Sequence, residues 1–434
     1  MVNTNPGLIK PDRYLYLRWV MWICLVLLHL ITTFHRVSFN VVADLLTAEF
    51  ALTGAGLGNL AAAYTYMYVI MQIPGGMLVD RLGPRRIALL TGVLMAAGSV
   101  LIGVAPGSAV VFLGRLLIGL GGSVILINIF KFQASWFSPA RFATLSGLAI
   151  LFSGSGALLG ATPLAISVGL VGWRSSFIVV GAIALLVAIV GWLLVRNSPG
   201  DCGRSIDVFG IDSDSSESEK NGQLSMKKIF RVLLNKRLLP PFLINFGVFG
   251  GFIVFSGTWG VSYLVHIYGV DVAQASVFMM LVYLSYMAGA PAVGWLSDRT
   301  GSRKIPAVVM TFLSVLFWLF LFAWPGGILP LGLIYILCVM LGLGAASTIL
   351  SFPMAREASP PGFTGSVTAA VNLGVFLGLA ILQPLFGYIL DLGWAGMLID
   401  GARIYTIEAY RYGFLVCLLF AVTAFAAALF YREK

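Results

Sequence analysis

Twelve long apolar runs, separated by short polar breaks, constrain this chain more than any other feature. They fall at 16–44, 56–79, 86–105, 109–135, 144–169 and 174–196, and again at 239–267, 273–296, 305–324, 328–354, 365–391 and 410–431. A helix that crosses a bilayer needs about 20 mainly apolar residues. In lipid only such a helix satisfies every backbone N–H and C=O within its own segment. With 59% hydrophobic residues, 10% charged and a mean hydropathy of +0.97, the chain lacks the polar surface of a soluble domain. The expected fold class is all-α integral membrane, with twelve transmembrane helices. Lys10, Arg13 and Arg18 precede the first run, which continues into Thr32-Thr33-Phe34-His35-Arg36 without a small-residue cleavage site. It reads as a first helix that stays, not as a signal peptide.

A polar stretch at 197–237 parts the runs into six and six, and its Ser and acidic content at Ile211-Asp-Ser-Asp-Ser-Ser-Glu-Ser-Glu-Lys220 cannot bury apolar surface. The organisation expected is an N-terminal six-helix half over 1–196, a cytoplasmic linker over 197–237 and a C-terminal six-helix half over 238–434. The net charge of +10 is spread along the ends of the runs, not gathered in the aromatic-interleaved patch of a nucleic-acid binder. With both termini inside, Arg174, Arg403 and Arg411 fall outside and Arg36, Arg115 and Lys131 fall within helices. The remaining 21 of 27 Lys and Arg are cytoplasmic, an imbalance that orients the protein. Cys24, Cys202, Cys338 and Cys417 are far apart with no metal spacing. No nucleophile, paired-carboxylate or metal constellation points to an enzyme, and no cofactor is expected.

Two segments share one pattern. Gly76-Met-Leu-Val-Asp80-Arg81-Leu-Gly83-Pro-Arg85-Arg86 and Gly294-Trp-Leu-Ser-Asp298-Arg299-Thr-Gly301-Ser-Arg303-Lys304 both fit G-x3-D-R-x-G-x-R-[RK]. They are 218 residues apart, and the same offset pairs Gly147 with Gly365, Gly156 with Gly374 and Gly160 with Gly378. One pattern at one offset indicates duplication into two pseudo-symmetric halves, a plan in which transporters place substrate between the halves near the midplane. The repeated segment resembles motif A of the major facilitator superfamily, and the resemblance covers essentially the whole chain. It implies the major facilitator fold, with Asp80, Arg81, Arg85, Asp298, Arg299 and Arg303 as gating residues on the cytoplasmic side. Asp80 would then face the N-terminus of helix 11 near Thr364-Gly365, where a carboxylate is favoured by about 0.3–1 kcal/mol. Arg115-Leu-Leu-Ile-Gly119-Leu-Gly121 resembles motif B and gives Arg115 a conformational role. Gly154, Gly156 and Gly160 with Pro163 resemble motif C. Tyr68-x3-Gln72-Ile-Pro74, Trp136-Phe137-x-Pro139-x-Arg141 and Arg36 resemble the anion:cation symporter group within the superfamily.

A charge at mid-bilayer costs at least about 2.5–3.5 kcal/mol on insertion scales, so each needs a reason. No Asp or Glu lies in a helix centre; the charged and titratable groups there are Arg36, Arg115, Lys131, His29 and His35. His29, Thr33, Arg36 and Asn40 are spaced by 4, 3 and 4 and share a face. Arg36 offers a guanidinium fork suited to a carboxylate or phosphate, or it pairs structurally with carbonyls or Asp44. Lys131, one turn after Asn128, either snorkels to the interface or completes a basic cavity with Arg36. Tyr64, Tyr68 and Gln72 form a polar-aromatic stripe; Trp259 and Asn372 are candidates from the second half. The substrate-binding set is thus Arg36, His29, Tyr64, Tyr68, Gln72, Asn128, Lys131, Trp259 and Asn372. His35, which titrates near physiological pH when unperturbed, is the coupling candidate, because the helix carboxylate common in the symporter group is absent.

These residues predict a secondary transporter of a small organic anion, such as a carboxylate, working by alternating access, with protons as candidate coupling ion. Drug or metabolite efflux on the same fold and a non-transporting sensor are the rival expectations. The expected partners are the substrate and membrane lipids, the expected state a monomer, and the expected location the bacterial inner membrane with both termini cytoplasmic.

Overall fold

The computed structural model describes residues 11–71, 74–199, 237–358, 364–399 and 401–433. Helices account for nearly all of them: α1 (Pro11–Val37), α2 (Phe39–Phe50), α3 (Gly54–Met71), α4 (Pro74–Gly103), α5 (Ser108–Trp136), α6 (Pro139–Leu159) and α7 (Thr162–Leu194). After the linker come α8 (Leu239–Tyr268), α9 (Val272–Thr300), α10 (Lys304–Ala323), α11 (Leu331–Ala345), α12 (Ser347–Ala358), α13 (Thr364–Leu392) and α14 (Ile407–Phe430). A two-residue hairpin, β1 (Leu398–Ile399) with β2 (Ala402–Arg403), lies between α13 and α14. All but the ends of the expected 197–237 linker lies outside the described residues, as does Gln72.

Among the described residues, ten helical stretches are long and apolar enough to span a membrane. Length shows that two more crossings are folded into them. Thr144–Leu194 has 51 residues, about 76 Å at helical rise, against a hydrocarbon core of about 30 Å. It turns back at Gly172, whose φ of +81° is costly for any residue with a Cβ. Gly83, at φ +74°, divides α4 likewise, so that α3 with the start of α4 makes one pass and the rest of α4 another. Divided so, the described residues are consistent with twelve passes.

An even number of passes returns the chain to its starting face. Arg18, early in α1, lies over the Phe137 ring at the end of α5. Glu433, past α14, accepts from the backbone N–H of Arg303 and Lys304 between α9 and α10. This is the terminal face; the other is the far face. Within the first six passes α4 packs on α5 and α7, and α1 on α5, α6 and α7. Within the last six α9 packs on α11, and α10 on α14. The two sets meet chiefly where α3 lies along α13.

Two local departures matter for the site. The first run was expected to end at 44, yet it is helical to Phe50 and is interrupted at Ser38, which separates α1 from α2. Helix α8 contains two π-helical turns, Asn245–Phe249 and Phe255–Trp259. Such turns disturb the regular i→i−4 ladder and expose backbone groups to outside partners.

Candidate functional site

Arg36 sits in the last turn of α1 and its guanidinium lies over two rings of α3, 5.9 Å from the Tyr64 centroid and 5.7 Å from Tyr68. It also interacts with both phenol groups, and its buried Nε has no hydrogen-bond partner. Among the described residues no carboxylate pairs with it. Asp44, the sequence-level alternative partner, instead accepts from Ser262 Oγ at 2.6 Å and lies 3.5 Å from His266 Nε2. The second set of helices closes the box. Phe376 of α13 stacks on Tyr68 at 4.6 Å, and Tyr283 and Tyr286 of α9 lie within electrostatic reach of Arg36. Tyr283 accepts from Ser256 in the second π turn of α8 at 3.0 Å. A half-buried cation faced by aromatic rings from both sets, with donor capacity left over, is suited to an anion.

The other candidates scatter. His29 is buried two turns before Arg36 on the same face, its Nδ1 without a partner. Asn372, half-buried, stands one turn before Phe376 on α13. Asn128 Nδ2 donates to Pro84 O at the terminal face, and Lys131 Nζ donates to Val79 O and pairs with Asp80 at 3.0 Å. Neither is brought to Arg36. Trp259 is buried against Phe386 and Tyr405, toward the far face. His35 points away from the box, its ring 5.5 Å from Phe34 and 5.9 Å from Phe177 with neither nitrogen hydrogen-bonded. Arg115, 1% exposed, donates to the carbonyls of Leu60, His35 and Ala61 at 3.2, 2.7 and 2.7 Å. It ties α5 to α1 and α3.

Beyond Arg36 the far face is sealed. Asn40 Nδ2 donates to Phe255 O and Ser256 O at 3.3 and 2.8 Å, and Asn40 Oδ1 accepts from Val261 N at 3.1 Å. Its side chain enters the disturbed ladder of the second π turn and satisfies both ends of it. Asp391, at the C-terminal end of α13, accepts from Gly54 N at 2.7 Å and Ala55 N at 2.8 Å, the first amides of α3. Arg403 and Tyr405 hold the same carboxylate. The helices touch closely here: a Cβ on Gly387 would lie 2.0 Å from Gly54 O.

The hydrogen bonds seen to cross between the two sets of helices are these far-face ones. Among the described residues, the ion pairs on the terminal face stay within a set. Asp80 is 77% exposed apart from its contact with Lys131, and Arg81 is exposed. Arg85 donates to Trp192 O and lies over the Trp192 ring. Arg299 lies over Trp295. Arg303 bridges Asp298 and Glu357, and the hydrogen bond to Asp298 leads the effects that raise its pKa above the usual arginine value. Glu433 caps the start of α10. Although burial opposes its ionised form, hydrogen bonds from Lys304 N, Ser302 and Arg303 N hold its carboxyl below the ordinary range.

A duplicated set of six passes, sealed on one face around a central cation, is matched by sequence. The description "Major Facilitator Superfamily" fits residues 21–263 and 242–434. The chain belongs to that superfamily. It is a transporter, not an enzyme. Relatives within the superfamily include the probable sulfoacetate transporter SauU of Cupriavidus necator, 26% identical over 67% of this chain and 68% of that protein. The D-galactonate transporter of Escherichia coli O6:H1 is 24% identical over 94% of this chain and 96% of its own. The fold is also that of a bacterial homologue of the human lysosomal transporter Spinster, crystallised inward-facing and unoccupied. The TM-score is 0.76 at 19% identity, covering 98% of this chain and 99% of that one.

Asn40, Asp391, Tyr283, Tyr286 and Phe376 did not enter the sequence-level site. Asn40 shares the helical face of Arg36, which was the available signal for it. Asp391 is a lone acid at a helix end, a place where charge calls for no explanation.

Proposed function

We propose that this chain is a secondary active transporter that moves a small organic anion by alternating access, with Arg36 as the anchor. The observation that carries this reading is an intramembrane guanidinium with no carboxylate partner among the described residues, enclosed by rings from both sets of helices. Relatives named for sulfoacetate and D-galactonate support the anion class. The terminal face is cytoplasmic, as the distribution of Lys and Arg favours, in a bacterial inner membrane. The conformation described is then inward-facing: far-face gate shut, Asp80 released. The protein works as a monomer, since one chain supplies both halves of the site, and protons are the candidate coupling ion.

Ligand that binds the folded state raises apparent stability by about 2.7 kcal/mol at a hundredfold excess over Kd. Purified protein should therefore be thermally stabilised by carboxylates or sulfonates, and Arg36→Gln should lose the effect while still eluting as a folded protein. Stabilisation by lipophilic cations or neutral compounds alone would overturn the anion reading.

A further inference from the structure

The number of positive charges that reach the site limits the charge of what it can hold. Three basic side chains, Arg36, Arg115 and Lys131, are the candidates from the sequence. Two are occupied. The guanidinium of Arg115 is fully buried with its three nitrogens on three carbonyls. Turning one toward a ligand would break a charge-assisted hydrogen bond in the membrane interior. The Lys131 amine is held by Asp80 and Val79 O. Height excludes it as well. The Tyr68 hydroxyl, beside Arg36, donates to Gly122 O, and Lys131 lies nine residues further along α5, about 14 Å at 1.5 Å per residue. A six-carbon acid held by Arg36 does not reach that far.

Arg36 therefore stands as the one cation, among the described residues, positioned to take a ligand at the box. A guanidinium fork matches one planar carboxylate. The rest of the lining is Tyr64, Tyr68, Phe376, Tyr283 and Tyr286. Ring faces carry negative quadrupole density. They suit an uncharged body, hydroxylated or apolar, and oppose a second carboxylate, whose desolvation would find no cation to offset it.

We infer that the site of this chain, in contrast to that of the relative named for sulfoacetate, a dianion, selects organic acids bearing a single negative charge and rejects dianions of the same size and shape. The inference rests on the anion reading above and deepens it. The test is a binding titration on the purified full-length protein with matched pairs that differ by one carboxylate. Suitable pairs are a six-carbon aldonate against its aldarate, a linear aliphatic monoacid against its diacid, and benzoate against phthalate. In every pair that binds, the monoanion should be at least tenfold tighter. Asn372→Lys, which adds a cation one turn from Phe376, should narrow the ratio by improving the dianion, as read in the same titrations. A dianion that binds as tightly as its monoanion partner in the unmodified protein overturns the inference and leaves the anion reading standing. Absence of binding by anions of either charge removes both.

Discussion

At the scale of single residues, the basic groups of the membrane interior divide by what surrounds them. Arg115 is structural. Truncating it removes three hydrogen bonds from a charged donor to buried carbonyls, each worth about 1.5–3 kcal/mol. Arg115→Leu should therefore cost several kcal/mol of stability, seen as a large fall in thermal midpoint. Arg115→Lys, which can reach fewer of the three carbonyls, should fall between, and anion preference should not change in either. Arg36→Lys keeps the charge and loses the fork. Anion affinity should drop by about 10–100-fold, the equivalent of one charge-assisted bond of about 1.5–3 kcal/mol, as read by ligand-induced stabilisation. Full affinity in Arg36→Lys would mean that planar, bidentate recognition is absent. Glu433 gives a pH prediction of definite sign. Its pKa is depressed in the folded state, so its contribution is complete above the ordinary carboxylate value and is lost as pH falls through the lower, folded one. Acid should loosen the α9–α10 turn in the native protein, followed by hydrogen exchange at Arg303 and Lys304, and Glu433→Gln should show the loosened behaviour already at neutral pH.

At the scale of elements, α3 and α13 form the main contact between the two sets of helices. They run antiparallel; Asp391 stands at the end of α13, and Asp80 lies in α4, nine residues beyond the end of α3. Asp391 holds the first amides of α3, where a carboxylate meets both free N–H groups and the positive end of the helix. Removing an N-terminal capping group costs about 1 kcal/mol, within a range of about 0.5–2. Asp391→Ala should thus shift the balance away from the far-face-closed state by about 5–30-fold at 1–2 kcal/mol. Spin-label distances across the far face would report it as a larger open population. Gly387→Val should act in the same direction and more strongly, because its side chain would meet the Gly54 carbonyl at covalent-like distance. If far-face distances in both variants match the unmodified protein, the α3–α13 contact does not set the equilibrium.

At the scale of the whole molecule, the contacts divide by face. Among the described residues, far-face bonds join the two sets of helices, and terminal-face ion pairs stay within one set. The superfamily resemblance places Asp80 at the start of α13 in the opposite state, the counterpart of Asp391 at the start of α3. Asp80→Ala should then favour the far-face-closed state, opposite in sign to Asp391→Ala. The double variant should return toward the original balance, as expected of two energetically independent sites on one two-state equilibrium. Labelling of single cysteines on each face, with and without anion, would measure this.

The membrane-spanning helices, the duplicated segment and Arg36 as a charge in the membrane interior were all legible in the sequence, for a physical reason. Lipid offers backbone and charge no alternative partner, so apolar length dictates a span and an interior charge must have a use. Helical periodicity put His29, Thr33, Arg36 and Asn40 on one face of the first helix, and Tyr64 with Tyr68 on one face of α3. Periodicity gives an azimuth and says little about depth relative to other helices. Asn128 and Lys131 therefore read as neighbours of Arg36, although the fold holds them at the terminal face beside Pro84 and Asp80. Which helix ends meet, which rings from the second half complete the box, and which cations are already bound to carbonyls or carboxylates depend on contacts between segments hundreds of residues apart. Those pairings carry no local period and no composition, and only the packing of the two halves decided them.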